Sequence, residues 1–305
     1  EKIQNNIFGF DIDENAVKKC IAILDDIAKE YGIKNIKWNI LKTDSLDKSF
    51  ASKFFNFFDF VVGNPPYIRI QHLGTQRREK IQNDWHLCKK GSTDIFIAFF
   101  ELGYHLLNKN GKLGYITPNT YLKTQAGEGL RSFLKFHQIL KTLIDFEHNQ
   151  LFDNATTYSL ITILDKNHKK STFSLFKGDK ENVNFIDEID TEKLNKDNWI
   201  LTSNDILKKL NEIERRGLPL GKIAKIHVGI TTLADDYYIF KDPVFKGSFA
   251  EIKLKDGRTF QIEREILKPI IKVSVLKNPN EDQNRFIIFP YKKIDNKHFI
   301  IPEDE

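Results

Sequence analysis

Residues 57–67 read Phe-Phe-Asp-Phe-Val-Val-Gly-Asn-Pro-Pro-Tyr, an apolar run followed directly by a stiff loop. The run Phe57–Val62 is rich in residues that favour β-structure, so it predicts a buried strand. Asn-Pro and Pro-Pro dipeptides mark turns, so the strand should end at Gly63. A strand with a polar loop at its carboxyl end is typical of α/β folds, which bind their ligands there.

Strand and helix signals alternate upstream of this stretch. Ile7–Asp11 predicts a short strand, and Asp13 is placed to cap a helix. Apolar residues then recur at helical spacing over 17–31, until Gly32 ends the pattern. A second strand is expected near Ile36–Ile40.

The alternation continues downstream of the loop. Ser92 or Thr93 can cap a helix that Asn110-Gly111 would close, and Leu113–Thr117 predicts a further strand. Strands that alternate with helices of this length predict an α/β fold with a doubly wound, Rossmann-like sheet over residues 1–170.

The C-terminal half has a different pattern. Two strands are expected at 140–146 and 158–164, an irregular connector at 171–204 and a polar helix at 205–216. Short strand-like pieces follow at 223–228, 237–240 and 286–289. We therefore expect a boundary between about residues 170 and 205, and a second, mainly β domain over 205–305.

The bulk composition is that of an ordinary folded protein. The 305 residues are 40% hydrophobic and 29% charged, which suits about two domains. With 47 Lys+Arg against 42 Asp+Glu the net charge is +5, which is compatible with a polyanionic partner without establishing one. No stretch is apolar enough for a membrane span. Cys20, Cys88 and the eight histidines have no metal-ligand spacing, so a reducing compartment such as the cytoplasm, and no metal, is predicted.

The start of the chain is unusual. The first residue is Glu1, and the sequence contains no methionine. Since a natural reading frame begins with Met, we expect either a fragment or a sequence from which methionines were removed.

The loop 64–67 suits one kind of chemistry. The exocyclic amine of adenine is a poor nucleophile because its lone pair is delocalised into the ring, and it improves when two acceptors take its hydrogens. Asn64 can offer its side-chain carbonyl and Pro65 its backbone carbonyl, while Pro65 and Pro66 restrict the backbone. Tyr67 offers an aromatic face to a base that has left the duplex. A plain turn is the alternative, but four residue types in this order favour a functional loop.

Asn64-Pro65-Pro66-Tyr67 resembles the catalytic motif of S-adenosylmethionine-dependent amino-methyltransferases. Its context resembles the gamma-class adenine-N6 DNA methyltransferases of type II restriction–modification systems, including the combined type IIG enzymes. Residues 92–121 are similar to the helix–strand unit that follows the catalytic loop in that family. The resemblance implies a methyltransferase sheet, S-adenosylmethionine as cofactor, double-stranded DNA as partner and no membrane association.

The same resemblance implies roles for three residues outside the loop. Phe8–Asp13 looks like the family's second strand, in which the acidic residue, here Asp11, would hold the ribose hydroxyls of the methyl donor. Asp44 would accept a hydrogen bond from the adenine amine of the donor. Phe152 would pack against the flipped base, and a core phenylalanine is the alternative.

Parts of the C-terminal half resemble the family's target-recognition domain. The similar segments are 218–232, 265–271 and 286–291. Polar loop side chains of this domain would read the bases, although the sequence does not single them out.

The chain departs from the family at its start. The family's glycine-rich donor loop is absent, and we expect it to precede residue 1 together with a central strand of the sheet. Gly127-Glu128-Gly129 is interpreted as a turn or a helix start rather than as that loop. Many relatives carry a nuclease domain or subunit, which nothing in this chain requires; Glu251-Ile252-Lys253 is interpreted as an exposed charged strand.

Two other functions remain open at this point. The first is a methyltransferase that acts on RNA or on a protein glutamine, because those families share Asn-Pro-Pro-Tyr. The second is a specificity module that binds DNA without catalysis, which the missing donor loop would allow.

Overall fold

The chain divides into two compact units. The computed structural model describes residues 2–89, 93–147, 149, 158–195, 197–226, 229–232, 234–254, 256–272, 284–294 and 297–301. Unit 1 comprises Glu1–Gly217 and unit 2 comprises Leu218–Glu305. This boundary lies beyond the expected interval of 170–205, because the strands that follow residue 170 belong to the sheet of unit 1.

Unit 1 alternates helices and strands, as the sequence predicts. Its elements are α1 (Lys2–Asn6), β1 (Phe8–Asp11), α2 (Glu14–Glu30), β2 (Asn39–Lys42), α3 (Lys48–Ala51), β3 (Phe58–Gly63), α4 (Thr75–Asp84), α5 (Ile95–Leu106), β4 (Leu107–Pro118), α6 (Glu128–His137), β5 (Leu140–Asp145), β6 (Ser159–Asp165), β7 (Thr172–Gly178), β8 (Val183–Asp190) and α7 (Asn204–Arg216).

Six of these strands form one mixed sheet in the order β3-β4-β6-β5-β7-β8. The pairs β3–β4 and β5–β7 are parallel, whereas β4–β6, β5–β6 and β7–β8 are antiparallel. Strands β1 and β2 form a separate parallel pair, with Asp11 beside Lys42 at its carboxyl end. The α/β class predicted from the sequence is confirmed.

Local signals position several elements as expected. The side chain of Asp13 accepts a hydrogen bond from the backbone N–H of Asn15 and caps α2. Gly127 ends a short 3₁₀ turn and α6 begins at Glu128, so the segment interpreted as a helix start is one.

The helix before β4 ends earlier than predicted. α5 stops at Leu106 and β4 begins at Leu107, so Asn110-Gly111 lies inside the strand rather than at a helix end. Tertiary pairing overrides the local turn signal there, because β4 pairs with both β3 and β6. Gly103 allows the close approach of α5 to the sheet, since a Cβ at this position would lie 2.3 Å from Cδ1 of Leu113.

Residues 171–204 are not an irregular connector. β7 and β8 extend the sheet of unit 1, and the helix predicted at 205–216 is α7, which still belongs to this unit. β7 shows the alternating burial of a strand covered on one face only.

Unit 2 is mainly β. After the short helices α8 (Leu220–Ile223) and α9 (Asp235–Tyr238), its strands are β9 (Ile239–Lys241), β10 (Val244–Lys246), β11 (Phe249–Lys253), β12 (Thr259–Glu263), β13 (Leu267–Pro269), β14 (Arg285–Ile288), β15 (Tyr291–Ile294) and β16 (Lys297–Ile300). They form antiparallel sheets around a small core of Phe240, Ala250, Ile252 and Leu267. The strand expected at 223–228 is wrong over 223–226, because Ile223 ends a helical turn and the next three residues belong to no strand; 227 and 228 lie outside the described residues. The strand expected at 237–240 begins only at Ile239, because Tyr237 and Tyr238 end α9. None of the helices that the structure describes is long and apolar enough to cross a bilayer.

Candidate active site

A cleft of about 680 Å³ is lined by residues of both β1 and β3. Within the described residues β1 pairs only with β2, and β3 pairs only with β4, so each strand has one free edge. Phe60 and Val62 line the cleft and are 71% and 83% exposed, which is unusual for apolar residues of a sheet strand. The cleft also contains five of the seven residues assigned to the site from the sequence: Asp11, Asp44, Asn64, Pro65 and Pro66.

The loop after β3 has a buried anchor and an exposed tip. Pro65 is buried, while Asn64 and Pro66 are exposed and Tyr67 is partly buried. The Tyr67 hydroxyl donates a hydrogen bond of 2.6 Å to Oδ1 of Asn64. It also lies 3.3 Å from the backbone carbonyl oxygen of Ile116, in β4. The loop is thus tied to the neighbouring parallel strand through its tyrosine.

This hydrogen bond defines the state of the loop. The Asn64 oxygen that the sequence analysis assigned to an amine already accepts a hydrogen from Tyr67. Burial raises the pKa of the Tyr67 hydroxyl, so it stays a protonated donor at neutral pH. An incoming N–H donor would have to share or displace this hydroxyl.

Asp11 lies at the carboxyl end of β1 and lines the cleft. Its Oδ1 accepts a hydrogen bond of 2.8 Å from the backbone N–H of Asp13, which shapes the turn into α2. This bond engages only one carboxylate oxygen, so the other oxygen can accept hydrogen bonds from a ligand.

Both oxygens of Asp44 are engaged. Oδ1 accepts a hydrogen bond of 3.0 Å from the backbone N–H of Leu46, and Oδ2 lies 3.1 Å from Nη2 of Arg77. Arg77 also lines the cleft, although it was not among the residues predicted from the sequence. No local signal links Arg77 to Asp44, because Arg77 reaches Asp44 from α4, which follows the Asn64–Tyr67 loop.

Helix α4 makes further polar contacts with the segment around Asp44. Lys80 forms an ion pair of 2.9 Å with Asp47, and Nζ of Lys48 donates to the carbonyl oxygen of Asp84 at 2.8 Å. The hydrogen bonds from Lys80 and Ser49 hold the pKa of the Asp47 carboxyl well below its usual range. The loop that carries Asn64 and the segment that carries Asp44 are therefore connected through α4.

One of the assigned site residues lies outside the described part of the chain. Phe152, the residue assigned to base stacking, falls within 150–157, for which no structure is given.

Known proteins that resemble this chain include restriction–modification methylases and type II methyltransferases. Residues 5–152 match the family described as Eco57I restriction-modification methylase. The chain is 30% identical to the type II restriction enzyme and methyltransferase RM.Eco57I of Escherichia coli, over 98% of this chain and 34% of that protein. It is 26% identical to the type II methyltransferase M.AccI of Acinetobacter calcoaceticus, over 87% of this chain and 48% of the relative.

A solved structure also shares the fold. The type IIL restriction-modification enzyme MmeI, determined in complex with DNA, superposes with a TM-score of 0.55 at 13% identity, covering 92% of this chain and 38% of MmeI. The chain spans about a third to a half of the length of these curated relatives.

Proposed function

We propose, from the match of residues 5–152 to the family of Eco57I restriction-modification methylases, that this chain is the catalytic and DNA-reading part of a DNA methyltransferase. Its substrate is the N6 amine of an adenine that has left the duplex, and S-adenosylmethionine is the methyl donor. One observation carries the proposal: the Asn64–Tyr67 loop and two strand-end aspartates, Asp11 and Asp44, share one cleft or its rim.

The amine side of the reaction follows from the loop. Asn64 Oδ1 and the carbonyl of Pro65 accept the two amine hydrogens and draw the nitrogen out of conjugation with the ring. Tyr67 stacks on the base, and Phe152 is proposed to pack against it. The amine releases its proton to solvent after transfer, so the chain needs no general base. Catalysis is mainly positioning and electrostatic stabilisation.

The hydrogen bond from Tyr67 to Asn64 gives the loop a resting state. The hydroxyl occupies the acceptor that the amine needs while no base is present. When the base enters, its N–H replaces the hydroxyl on Asn64, and the hydroxyl retains the Ile116 carbonyl as a second acceptor.

The two aspartates fit the methyl donor. When bound, S-adenosylmethionine supplies an electrophilic methyl group. The free oxygen of Asp11 suits a ribose diol, because a carboxylate at a strand's carboxyl end is the usual diol acceptor in such folds. Asp44 is proposed to accept the adenine amine of the donor, and it must then share its Oδ2 with Arg77 or release it.

We also infer that a further strand lies between β1 and β3 in the full-length protein. The proposal rests on the two free strand edges and on the exposed Phe60 and Val62, which such a segment would protect. The glycine-rich donor loop expected from the resemblance would follow this strand.

Hydrogen exchange tests that inference. In a version extended by the segment that precedes Glu1 in the gene, the amides of 58–63 should exchange at least about tenfold more slowly than in the present chain, since stable strand pairing protects them. The amides of β8, at the far edge of the sheet, serve as the control. Equal exchange of 58–63 in both versions would mean that no strand is added there.

Unit 2 is proposed to be the target-recognition domain. Its segments 218–232, 265–271 and 286–291 carry the resemblance noted above. A nuclease domain or subunit elsewhere in the full-length protein is part of the proposal, as in the combined enzyme RM.Eco57I.

The direct test is transfer of tritium from labelled S-adenosylmethionine to mixed genomic DNA by the full-length protein. Label recovered as N6-methyladenine is the expected result. If RNA or protein, offered in parallel assays, is labelled instead of DNA, then that molecule is the substrate. If the protein binds DNA but transfers no label, it is a specificity module without methyltransferase activity.

Two substitutions at Tyr67 separate its hydroxyl from its ring. Tyr67→Phe keeps the stacking face and frees the Asn64 acceptor, so kcat/KM should stay within about tenfold of the wild type, as expected for one hydrogen bond. Tyr67→Ala should lower it by about 10- to 100-fold, because base stacking contributes about 1–3 kcal/mol.

Initial rates with a duplex that contains the target site measure both effects. Tyr31→Ala, at an exposed tyrosine after α2, is the matched control and should leave the rate unchanged. Equal losses for Tyr67→Phe and Tyr67→Ala would show that the ring does not stack on the base.

A further inference from the structure

The segment that follows the catalytic loop is strongly basic. Residues 69–80 contain four cationic side chains, Arg69, Arg77, Arg78 and Lys80, against the single acid Glu79. Across the whole chain the charges are nearly balanced, with 47 basic and 42 acidic residues. This local excess of positive charge lies next to the proposed active site in the sequence, where it would favour a negatively charged partner.

Two of the four cations have partners inside the protein. Arg77 pairs with Asp44 at 3.1 Å and Lys80 pairs with Asp47 at 2.9 Å. Both pairs hold α4 against the segment around Asp44. These ion pairs therefore explain two of the four cationic side chains as contacts within the protein.

The other two cations are not used in this way. Neither Arg69 nor Arg78 has an ion-pair partner in the part of the chain that the structure describes. Arg69 is exposed and Arg78 is partly exposed. Asp94 lies opposite Arg69 in an isolated β-bridge. Burial raises the pKa of the Asp94 carboxyl, and the positive charge of Arg69 opposes that rise.

Both arginines stand on rigid backbone. The residues on either side of Arg69 are bonded to the strand-like segment before α5, through Ile70 N–H to the Thr93 carbonyl at 2.9 Å and Ile95 N–H to the Ile68 carbonyl at 2.8 Å. Arg78 lies in α4, whose Ile81 is only 3% exposed and anchors the helix. Side chains on a fixed backbone lose less entropy when they bind a partner.

Both arginines are close to the proposed site in the chain: Arg69 follows the Asn64–Tyr67 loop, and Arg78 follows Arg77, which lines the cleft. Arg69 follows Tyr67 by two residues, roughly 7 Å of extended chain, so a nucleotide whose base contacts Tyr67 brings its flanking phosphates near this segment. Arginine binds phosphate oxygens through two parallel hydrogen bonds, which fix both position and orientation.

We propose that Arg69 and Arg78 contact the backbone phosphates next to the extruded base, on the DNA strand that carries it. This assignment rests on the proposed function. The assignment adds to the proposed function the residues of unit 1 that hold the substrate backbone beside the catalytic loop. The contacts carry no sequence information, so they act equally on every site that the protein recognises.

Salt dependence of DNA binding tests the proposal. Each phosphate contact adds about 0.9 to the slope of log K against log salt, so Arg69→Ala/Arg78→Ala should reduce that slope by about 2. The double variant Lys34→Ala/Lys109→Ala removes two exposed lysines without a described ion pair from the connection before β2 and the start of β4, and it should leave the slope unchanged.

Fluorescence anisotropy of a labelled duplex with the full-length protein, between about 50 and 300 mM KCl, measures the slope. Arg69→Lys/Arg78→Lys keeps the charge and should restore most of it, which a loss of folding would not allow. An unchanged slope in the alanine variant would overturn the assignment while the proposed function stands. Absence of DNA binding by the wild type would refute the proposed function itself.

Discussion

Asn64→Ala is expected to lower the rate of methyl transfer by about 10²- to 10⁴-fold, the range found when an aligned polar group or proton-handling group is removed from an active site. The substitution removes the side-chain acceptor that draws the amine hydrogens, and the Pro65 carbonyl alone cannot hold the nitrogen in a reactive geometry. Asn64 is exposed, so the free energy of unfolding should change by less than about 0.5 kcal/mol.

Single-turnover rates with labelled methyl donor separate this effect from binding. The DNA affinity of Asn64→Ala should remain close to that of the wild type, since the contacts to phosphate are intact. Asn211→Ala, at an exposed asparagine of α7, is the matched control and should retain the full rate. A rate of Asn64→Ala within tenfold of the wild type would remove Asn64 from the mechanism.

The second large effect concerns the stability of the loop that follows β4. Arg131 is only 2% exposed, and its Nη1 donates to the carbonyl oxygens of Tyr121 at 2.6 Å and Thr124 at 2.9 Å. Its Nη2 donates to the carbonyl oxygen of Asp197 at 2.6 Å. One side chain thus satisfies three backbone acceptors and joins α6 to two segments of the chain.

Arg131→Met should destabilise the protein by about 3 kcal/mol, because it removes the charged donor from one buried and two partly buried hydrogen bonds to carbonyl oxygens. Met fills a similar volume, so the loss reflects the hydrogen bonds rather than a cavity. Arg131 contacts the loop that follows β4, and the Tyr67 hydroxyl contacts Ile116 in β4. The Arg131→Met variant should therefore also show a lower methyl-transfer rate near its melting temperature.

Urea unfolding monitored by circular dichroism gives the free-energy change. Lys135→Met is the control on the same helix: its ion pair with Glu192 is exposed, and its loss should cost less than about 1 kcal/mol. Similar midpoints for Arg131→Met and the wild type would mean that water or neighbouring groups satisfy the three carbonyls.

Elements with strong local signals were predictable. The strand and loop at 57–67, the capped helix α2 and the antiparallel strands β5 and β6 all lie within a few residues of their expected positions. Each of these elements depends on a regular spacing of apolar residues or on a capping residue, both of which act between residues close together in sequence. β7 and β8 were missed although β7 alternates buried apolar and partly exposed polar residues at 172–175, the pattern typical of a strand covered on one face.

The proposed catalytic loop could be identified from the sequence alone, because Asn64-Pro65-Pro66-Tyr67 are adjacent and their chemistry is readable in order. The contacts of these and other site residues became visible only in the tertiary structure. It brought Tyr67 to Ile116, Arg77 to Asp44 and Arg131 to Asp197, pairs separated by 49, by 33 and by 66 positions. Such contacts depend on the order of strands in the sheet and on how loops fold back across its edge. Local propensities do not encode that order, since burial and pairing settle it over the whole unit.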